Sequence, residues 1–168
     1  MKSQPLISTL FLVVLGLPVL AAEVAPVLAA AEPGGTARVT AFAENLLGAQ
    51  PAADDLALAH ERGIRTIINL RMPAEPAGFD EAAEAERLGL TYHRVPWNGS
   101  PEEADAVFSE VRRLLNQTRE PLLLHCASGN RVGAAWIPWR ELDGGVPLET
   151  AVAEAKTIGL KTPALEEL

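Results

Sequence analysis

The stretch PLLLHCASGNRVG, Pro121 to Gly133, decides how this chain is read. A short apolar run, Leu122 to Leu124, lies between Pro121 and a loop carrying Gly129. That is the pattern of a buried parallel strand ending at a site. Val132, Ala134, Ala135, Trp136 and Ile137 then open a helix. A strand running into a tight loop and a helix N-terminus makes an anion site, because successive backbone N–H groups point into the loop and the helix dipole adds to them. Cys126, the single cysteine, sits where that field favours a thiolate. Arg131 adds a planar fork matched to a tetrahedral oxyanion. An arginine at a helix start opposes the dipole, so an anion is needed to explain it. Cys126 and Arg131 are therefore the candidate catalytic residues, and Ala127, Ser128, Gly129 and Asn130 the candidate substrate-binding loop. Gly129 is expected to supply a φ that other residues resist.

Working outward, Ile64–Leu70 (IRTIINL) is a β-branched run and predicts a strand. Asp80 caps a helix predicted over Glu81–Leu88, and Leu90–Val95 is the next strand. Pro101 at the first helical position, with Glu102 and Glu103 in the first turn, opens a helix reaching about Thr118. Asn45–Gly48 reads as a short strand or its exit, and Ala53–Arg62 as a helix closed by Gly63. After the reactive loop, Pro138 should kink or restart the helix. Leu148–Ile158 is a last amphipathic helix. Strands alternating with helices give an α/β fold: a single domain with a largely parallel central sheet flanked by helices. Ligands of such sheets sit beyond the strand carboxyl ends, where Arg71, Trp97 and Cys126 all fall. Arg71 and Trp97 thus join His125 as supporting residues, with Trp97 a candidate apolar wall for substrate.

With 168 residues, 48% hydrophobic and 21% charged, the composition is that of one globular domain. A formal charge of −8 argues against nucleic acid as a partner. It also means that an anionic substrate answers to the local field of Arg131. His60, His93 and His125 are scattered with no paired ligand spacing, so no metal and no cofactor are expected.

At the other end of the chain, Lys2 precedes an apolar run from Leu6 to Leu17, then Pro18 and the small-residue stretch Val19-Leu20-Ala21. Residues 1–21 are read as a signal peptide, which makes the protein periplasmic or secreted. A membrane is a partner only if that segment stays uncleaved. Residues 22–37, rich in Ala, Pro and Gly, are read as a linker, and 38–168 as the catalytic domain.

His125-Cys126 followed by Gly129 and Arg131 resembles the phosphate-binding loop of the protein tyrosine and dual-specificity phosphatases, in particular a small bacterial branch with HCASGNR-type loops. ENLLGAQP, GIRTIINLR followed by Glu75, and EAKTIGL extend the resemblance over roughly Arg38 to Leu168. It implies a cysteine-phosphatase-like fold and hydrolysis of phosphate monoesters: Cys126 attacks phosphorus, and Arg131 with the loop N–H groups holds the oxygens. It also implies that His125 turns its ring away from substrate. Three departures are visible. Four residues separate Cys126 from Arg131 where the superfamily has five, and such an interval resembles the rhodanese-type sulfurtransferase loop. The loop Pro96–Ser100 holds Asn98 and no carboxylate, although the family places an Asp general acid there. Val132 stands where a Ser or Thr is usual. The alternatives are therefore a rhodanese-like sulfurtransferase or a non-catalytic phosphate-binding module.

Overall fold

The computed structural model describes the backbone of residues 28–31 and the whole of residues 39–168. Their strands are β1 (Leu28–Ala31), β2 (Val39–Phe42), β3 (Asn45–Gly48), β4 (Thr66–Asn69), β5 (Thr91–Arg94) and β6 (Leu122–His125). The helices are α1 (Ala53–Glu61), α2 (Glu81–Arg87), α3 (Pro101–Gln117), α4 (Asn130–Leu142), α5 (Leu148–Ile158) and α6 (Pro163–Glu166). The strands form one sheet in the order β1-β2-β3-β6-β4-β5. β3, β6, β4 and β5 run parallel, and β1 and β2 add an antiparallel edge. This is the α/β domain with a largely parallel sheet that the alternation of elements implies.

β6 is central because its side chains are apolar on both faces. Leu122 and Leu124 join the larger core with α3, α4 and α5, while Leu123 joins a smaller one with Leu56 and Ala59 of α1 and Ala85 of α2. β4 divides in the same way, Ile68 to the larger core and Ile67 to the smaller. The two-residue period then sends His125 towards α2, and Cys126 falls in the larger core.

Three sequence expectations change. The linker read over 22–37 contains β1, whose Leu28–Ala31 pairs antiparallel with β2. An alanine-rich, three-alanine strand carries no hydrophobic alternation, so only its pairing reveals it. α4 neither breaks nor restarts at Pro138 but runs on to Leu142. The proline leaves the Ala134 carbonyl without its helical donor, and the packing of Trp136 and Ile137 against the core on that turn keeps the helix intact. β2 and α6 were not foreseen, both being only four residues long. The segment read as a signal peptide lies outside the described residues.

α4 and α5 approach closely at Gly133, where an added Cβ would lie 2.7 Å from the Ala155 carbonyl oxygen and 2.8 Å from the Leu160 Cβ. Gly133→Ala gains about 1 kcal/mol in helix propensity. Overpacking against a backbone oxygen costs about 1–3 kcal/mol, and here two contacts must be relieved together. The net effect should be a lower Tm by thermal melting; an unchanged or higher Tm would show that the two helices can part freely.

Candidate active site

The loop after β6 is held from both sides by neighbouring strand exits. Cys126 N–H donates to the Gly48 carbonyl at 3.2 Å, Gln50 N–H to the Ala127 carbonyl at 3.3 Å, and Leu70 N–H to the His125 carbonyl at 2.9 Å. Gly129 then turns the chain into α4 with φ 87°. No side chain fits there, since a Cβ would lie 2.6 Å from the Ile158 carbonyl oxygen. The turn aims the Gly129 N–H at Cys126 Sγ, 3.2 Å away. The first-turn N–H groups that follow in α4 have no helical acceptor, which makes them donors for an anion. Cys126 itself has no exposed surface.

Arg131, one residue into α4, folds back across the sheet ends. Its Nη1 donates to Glu75 Oε1 at 2.7 Å and to the Trp97 carbonyl at 2.6 Å, with the Leu70 carbonyl at 3.3 Å, and its Nη2 donates to Glu75 Oε2 at 2.8 Å. Of the five N–H groups of a guanidinium, Nε–H and one Nη2–H are not taken by an oxygen of the described residues. The Glu75 hydrogen bond raises the pKa of half-buried Arg131 above its ordinary value against the opposing effect of burial, and the adjacent Cys126 sulfur adds to it.

Glu75 is bound by two arginines. Arg71 Nε stands 3.4 Å from Glu75 Oε2, and the rest of its fork goes to Gln50 Oε1 and, at 2.5 Å, to the Pro76 carbonyl. Arg71 is thus a buried brace beneath the 71–78 loop. The Arg131 hydrogen bonds hold the Glu75 carboxyl at a pKa of about 2, against an ordinary 4.5.

These contacts border an open cleft of about 610 Å³ lined by Met72, Glu75, Asn98, Ser128, Arg131 and Leu165, among others. Of the predicted substrate-binding residues, Ser128 lines the cleft with an exposed side chain, while Ala127 is exposed but does not line it. Asn130 reaches the cleft edge with its side chain committed elsewhere: Nδ2 donates to Thr162 Oγ1 at 2.7 Å, and Oδ1 accepts from Lys161 N–H at 2.7 Å. Trp97 is corrected. Its ring has no exposed surface, packs edge-on against Phe108 at 5.1 Å and donates Nε1–H to the Ser100 carbonyl. Only its carbonyl serves the site, and the apolar wall is made by Met72, Ala164 and Leu165. Asn98 lines the cleft and accepts the Ser100 N–H at 2.7 Å. Glu102, Glu103 and Asp105 are exposed on α3 and do not line it.

His125 lies on the other side of the sheet, its Nε2 2.7 Å from Glu81 Oε1. Glu81 and Asn69 carried no sequence signal of their own, and Glu75 entered only through the family resemblance. A glutamate in a proline-rich loop and another in the first turn of a helix are ordinary surface choices, and only the tertiary fold buries Glu81.

The pKa of Glu75 is depressed on folding, so the stabilisation it gives is full above about pH 4.5 and is lost as the pH falls towards 2. The stability difference between wild type and Glu75→Gln, read from urea melts, should therefore be largest near neutrality and shrink below about pH 4.5. A difference that stays constant down to pH 3 would remove the Arg131 contact as its source.

Comparison with known proteins accords with this geometry. Residues 39–138 match the family described as "Beta-lactamase hydrolase-like protein, phosphatase-like domain". The Beta-lactamase hydrolase-like protein of Xylella fastidiosa (strain Temecula1) is 36% identical over 103 residues, 58% of this chain. That match spans only 23% of the longer relative. Among solved structures, Pseudomonas aeruginosa TpbA superposes with a TM-score of 0.63 at 19% identity, covering 83% of this chain and 94% of its own. A second TpbA structure, in complex with pTyr, gives 0.61 at 18% identity, covering 83% and 93%. PTPMT1 gives 0.59 at 17% identity, covering 74% and 86%. The fold is that of the protein tyrosine phosphatase-like enzymes, and the chain belongs to the phosphatase-like domain family of the Beta-lactamase hydrolase-like proteins.

Proposed function

We propose that the domain is an exported cysteine-dependent phosphatase that hydrolyses phosphate monoesters through a phosphocysteine intermediate. One observation carries this reading: a thiol with an N–H 3.2 Å from its sulfur lies against an arginine that keeps two donors for an oxyanion. The Cys126 thiolate attacks phosphorus, and the bond to the leaving oxygen breaks. Water then displaces sulfur from the phosphocysteine, which releases inorganic phosphate and restores the thiolate. The free Arg131 donors and the α4 N–H groups stabilise the equatorial oxygens in both steps. Cys126 has no exposed surface, so the loop must open for an oxyanion to reach its sulfur.

Among the described residues, Glu75 is the one carboxylate lining the cleft, and with a pKa of about 2 it has no proton to give at neutral pH. The leaving oxygen departs as an anion or takes its proton from water. General acid catalysis is worth about 10²–10⁴ in rate, so substrates with acidic leaving groups are favoured. The pTyr bound by TpbA supports an aryl phosphate as the natural probe.

A second reading, sulfurtransferase, is favoured by the four-residue span from Cys126 to Arg131, since a smaller loop suits a persulfide sulfur, while the missing acid favours a non-catalytic phosphate-binding module. Purified protein assayed with p-nitrophenyl phosphate and with thiosulfate plus cyanide separates the two. Turnover of thiosulfate alone would overturn the phosphatase reading, and turnover of neither, with phosphate bound, would leave a binding module.

In the phosphatase case, aryl phosphates should turn over at least about 100-fold faster than alkyl phosphates. Asn98→Asp keeps the acceptor for the Ser100 N–H and puts a carboxyl group on the cleft wall. It should raise alkyl phosphate turnover and add a basic limb to the pH profile where that acid ionises. Equal rates on both substrate types in the wild type would show an acid at work.

Export follows from the Leu6–Leu17 run and Val19-Leu20-Ala21. Protein recovered from the periplasm should lack the first twenty or so residues by intact mass, and a full-length mass in the membrane fraction would sink the cleaved-signal reading.

A further inference from the structure

Behind the nucleophile loop, on the α2 face of the sheet, is a row of polar side chains that the proposed reaction does not use. His125 of β6 and Asn69 of β4 are register partners, and Asn69 is likewise level with Arg94 of β5. Residues level with one another on neighbouring strands project from the same face. Glu81, the first residue of α2, descends onto this row and is 3% exposed; Asn69 is 2% exposed and His125 has no exposed surface. Its carboxylate stands at the helix N-terminus, where the dipole favours negative charge.

The hydrogen bonds leave Glu81 one orientation. Asn69 Nδ2 donates to Glu81 Oε2 at 2.6 Å and faces Tyr92 Oη at 2.9 Å, while Asn69 Oδ1 accepts the Arg71 N–H at 2.7 Å. The last of these contacts sets the amide's sense, because a backbone N–H can only meet the oxygen. Glu81 Oε1 is then left to His125 Nε2, 2.7 Å away, and neither atom has another partner among the described residues. Two bare lone pairs at that distance repel, so a proton lies between them. The other ring nitrogen, Nδ1, is 3.4 Å from the carbonyl oxygen of Cys126, also an acceptor. Both ring nitrogens therefore face oxygen, and the shared proton ties the ring to the Glu81 carboxyl group.

A buried pair of this kind is a weak source of stability, since an apolar pair of similar volume would do as well. What it does supply is orientation. We propose that Glu81 is a positioning residue of the reaction: it holds the His125 ring, and through Nδ1 the Cys126 peptide, so that Sγ stays beneath the Gly129 N–H and beside Arg131. This rests on the reading of Cys126 as the nucleophile.

The test uses the full chain with Glu81→Gln, His125→Gln and the double variant. The wild type should show an imidazole N–H proton shifted downfield and protected from exchange, assigned to His125 by its absence in His125→Gln. In Glu81→Gln that signal should return to the ordinary range. With p-nitrophenyl phosphate, Glu81→Gln should lower kcat by about tenfold or more while KM changes less than about twofold, the pattern of a misplaced nucleophile. Added to His125→Gln, it should cost nothing further. An unmoved proton signal, an unchanged kcat, or losses that multiply in the double variant would each overturn the proposal. If Glu81→Gln does not fold, Glu81→Asp keeps the charge and draws the carboxyl back by one methylene. It should show the same kcat loss, and wild-type kcat would again overturn the role. If the wild type turns over no phosphate, the phosphatase reading fails, and the iodoacetamide alkylation rate of Cys126 takes the place of kcat. Glu81→Gln should lower it at least about fivefold, and an equal rate would count against Glu81.

Discussion

The clasp between Arg131 and Glu75 is the contact on which the site's shape depends. A guanidinium in the first turn of a helix stands where the dipole is unfavourable to it. Here the cost is offset by a carboxylate bound through both oxygens and by two carbonyls, those of Trp97 and Leu70. These partners come from the loops after β4 and β5, while Arg131 itself follows β6. One side chain thus ties the carboxyl ends of three adjacent parallel strands into a single floor, and the cleft above it inherits a fixed outline. The edge of the guanidinium used for this purpose is the end, which leaves the Nε side for an anion.

Charge counting at that floor explains how an acidic chain can hold an anion. Arg71 and Arg131 share one carboxylate, Glu75, so the cluster carries one net positive charge within a protein of formal charge −8. The field that matters to a phosphate is local, since more distant exposed charges are screened within about 8–10 Å. The same arrangement removes Glu75 from acid–base work. A carboxyl group held ionised by two arginines organises the site but has no proton to offer a leaving group.

The strands and helices that bury an apolar face were legible in the sequence, because periodicity reports burial. Leu122–Leu124 and Ile64–Leu70 read as strands, and Asp80 stands as the N-cap of α2 with its Oδ1 accepting the Ala83 N–H. Cys126, Gly129 and Arg131 were legible as neighbours because they are close in sequence, and the fold keeps the Gly129 N–H and Arg131 beside the Cys126 sulfur. The roles of side chains that reach across the fold were not. Trp97 reads as a cleft wall from its place after a strand, yet the chain direction turns the ring into the core and only its carbonyl outward. Asn130 reads as a ligand from its place in the loop, yet Lys161 and Thr162 lie thirty residues on and claim its side chain. Such pairings depend on where distant segments dock, which no local pattern encodes.

That docking also shows how much of the cleft lies past the matched family region, which ends at residue 138, inside α4. Gly129 and Gly159 meet backbone to backbone: a Cβ on Gly159 would lie 2.9 Å from the Ser128 carbonyl oxygen, and one on Gly129 would lie 2.6 Å from that of Ile158. Two glycines are needed because either side chain would push the end of α5 off the loop. With α5 seated there, the chain continues through Lys161 and Thr162, which Asn130 fastens, and then places Ala164 and Leu165 on the cleft wall. The loop after β6 therefore takes its conformation from the α5 end as well as from β6. Of the apolar cleft wall, Ala164 and Leu165 lie outside the matched family region and Met72 within it. Two domains with the same loop and a different C-terminal segment would border that loop with differently shaped clefts.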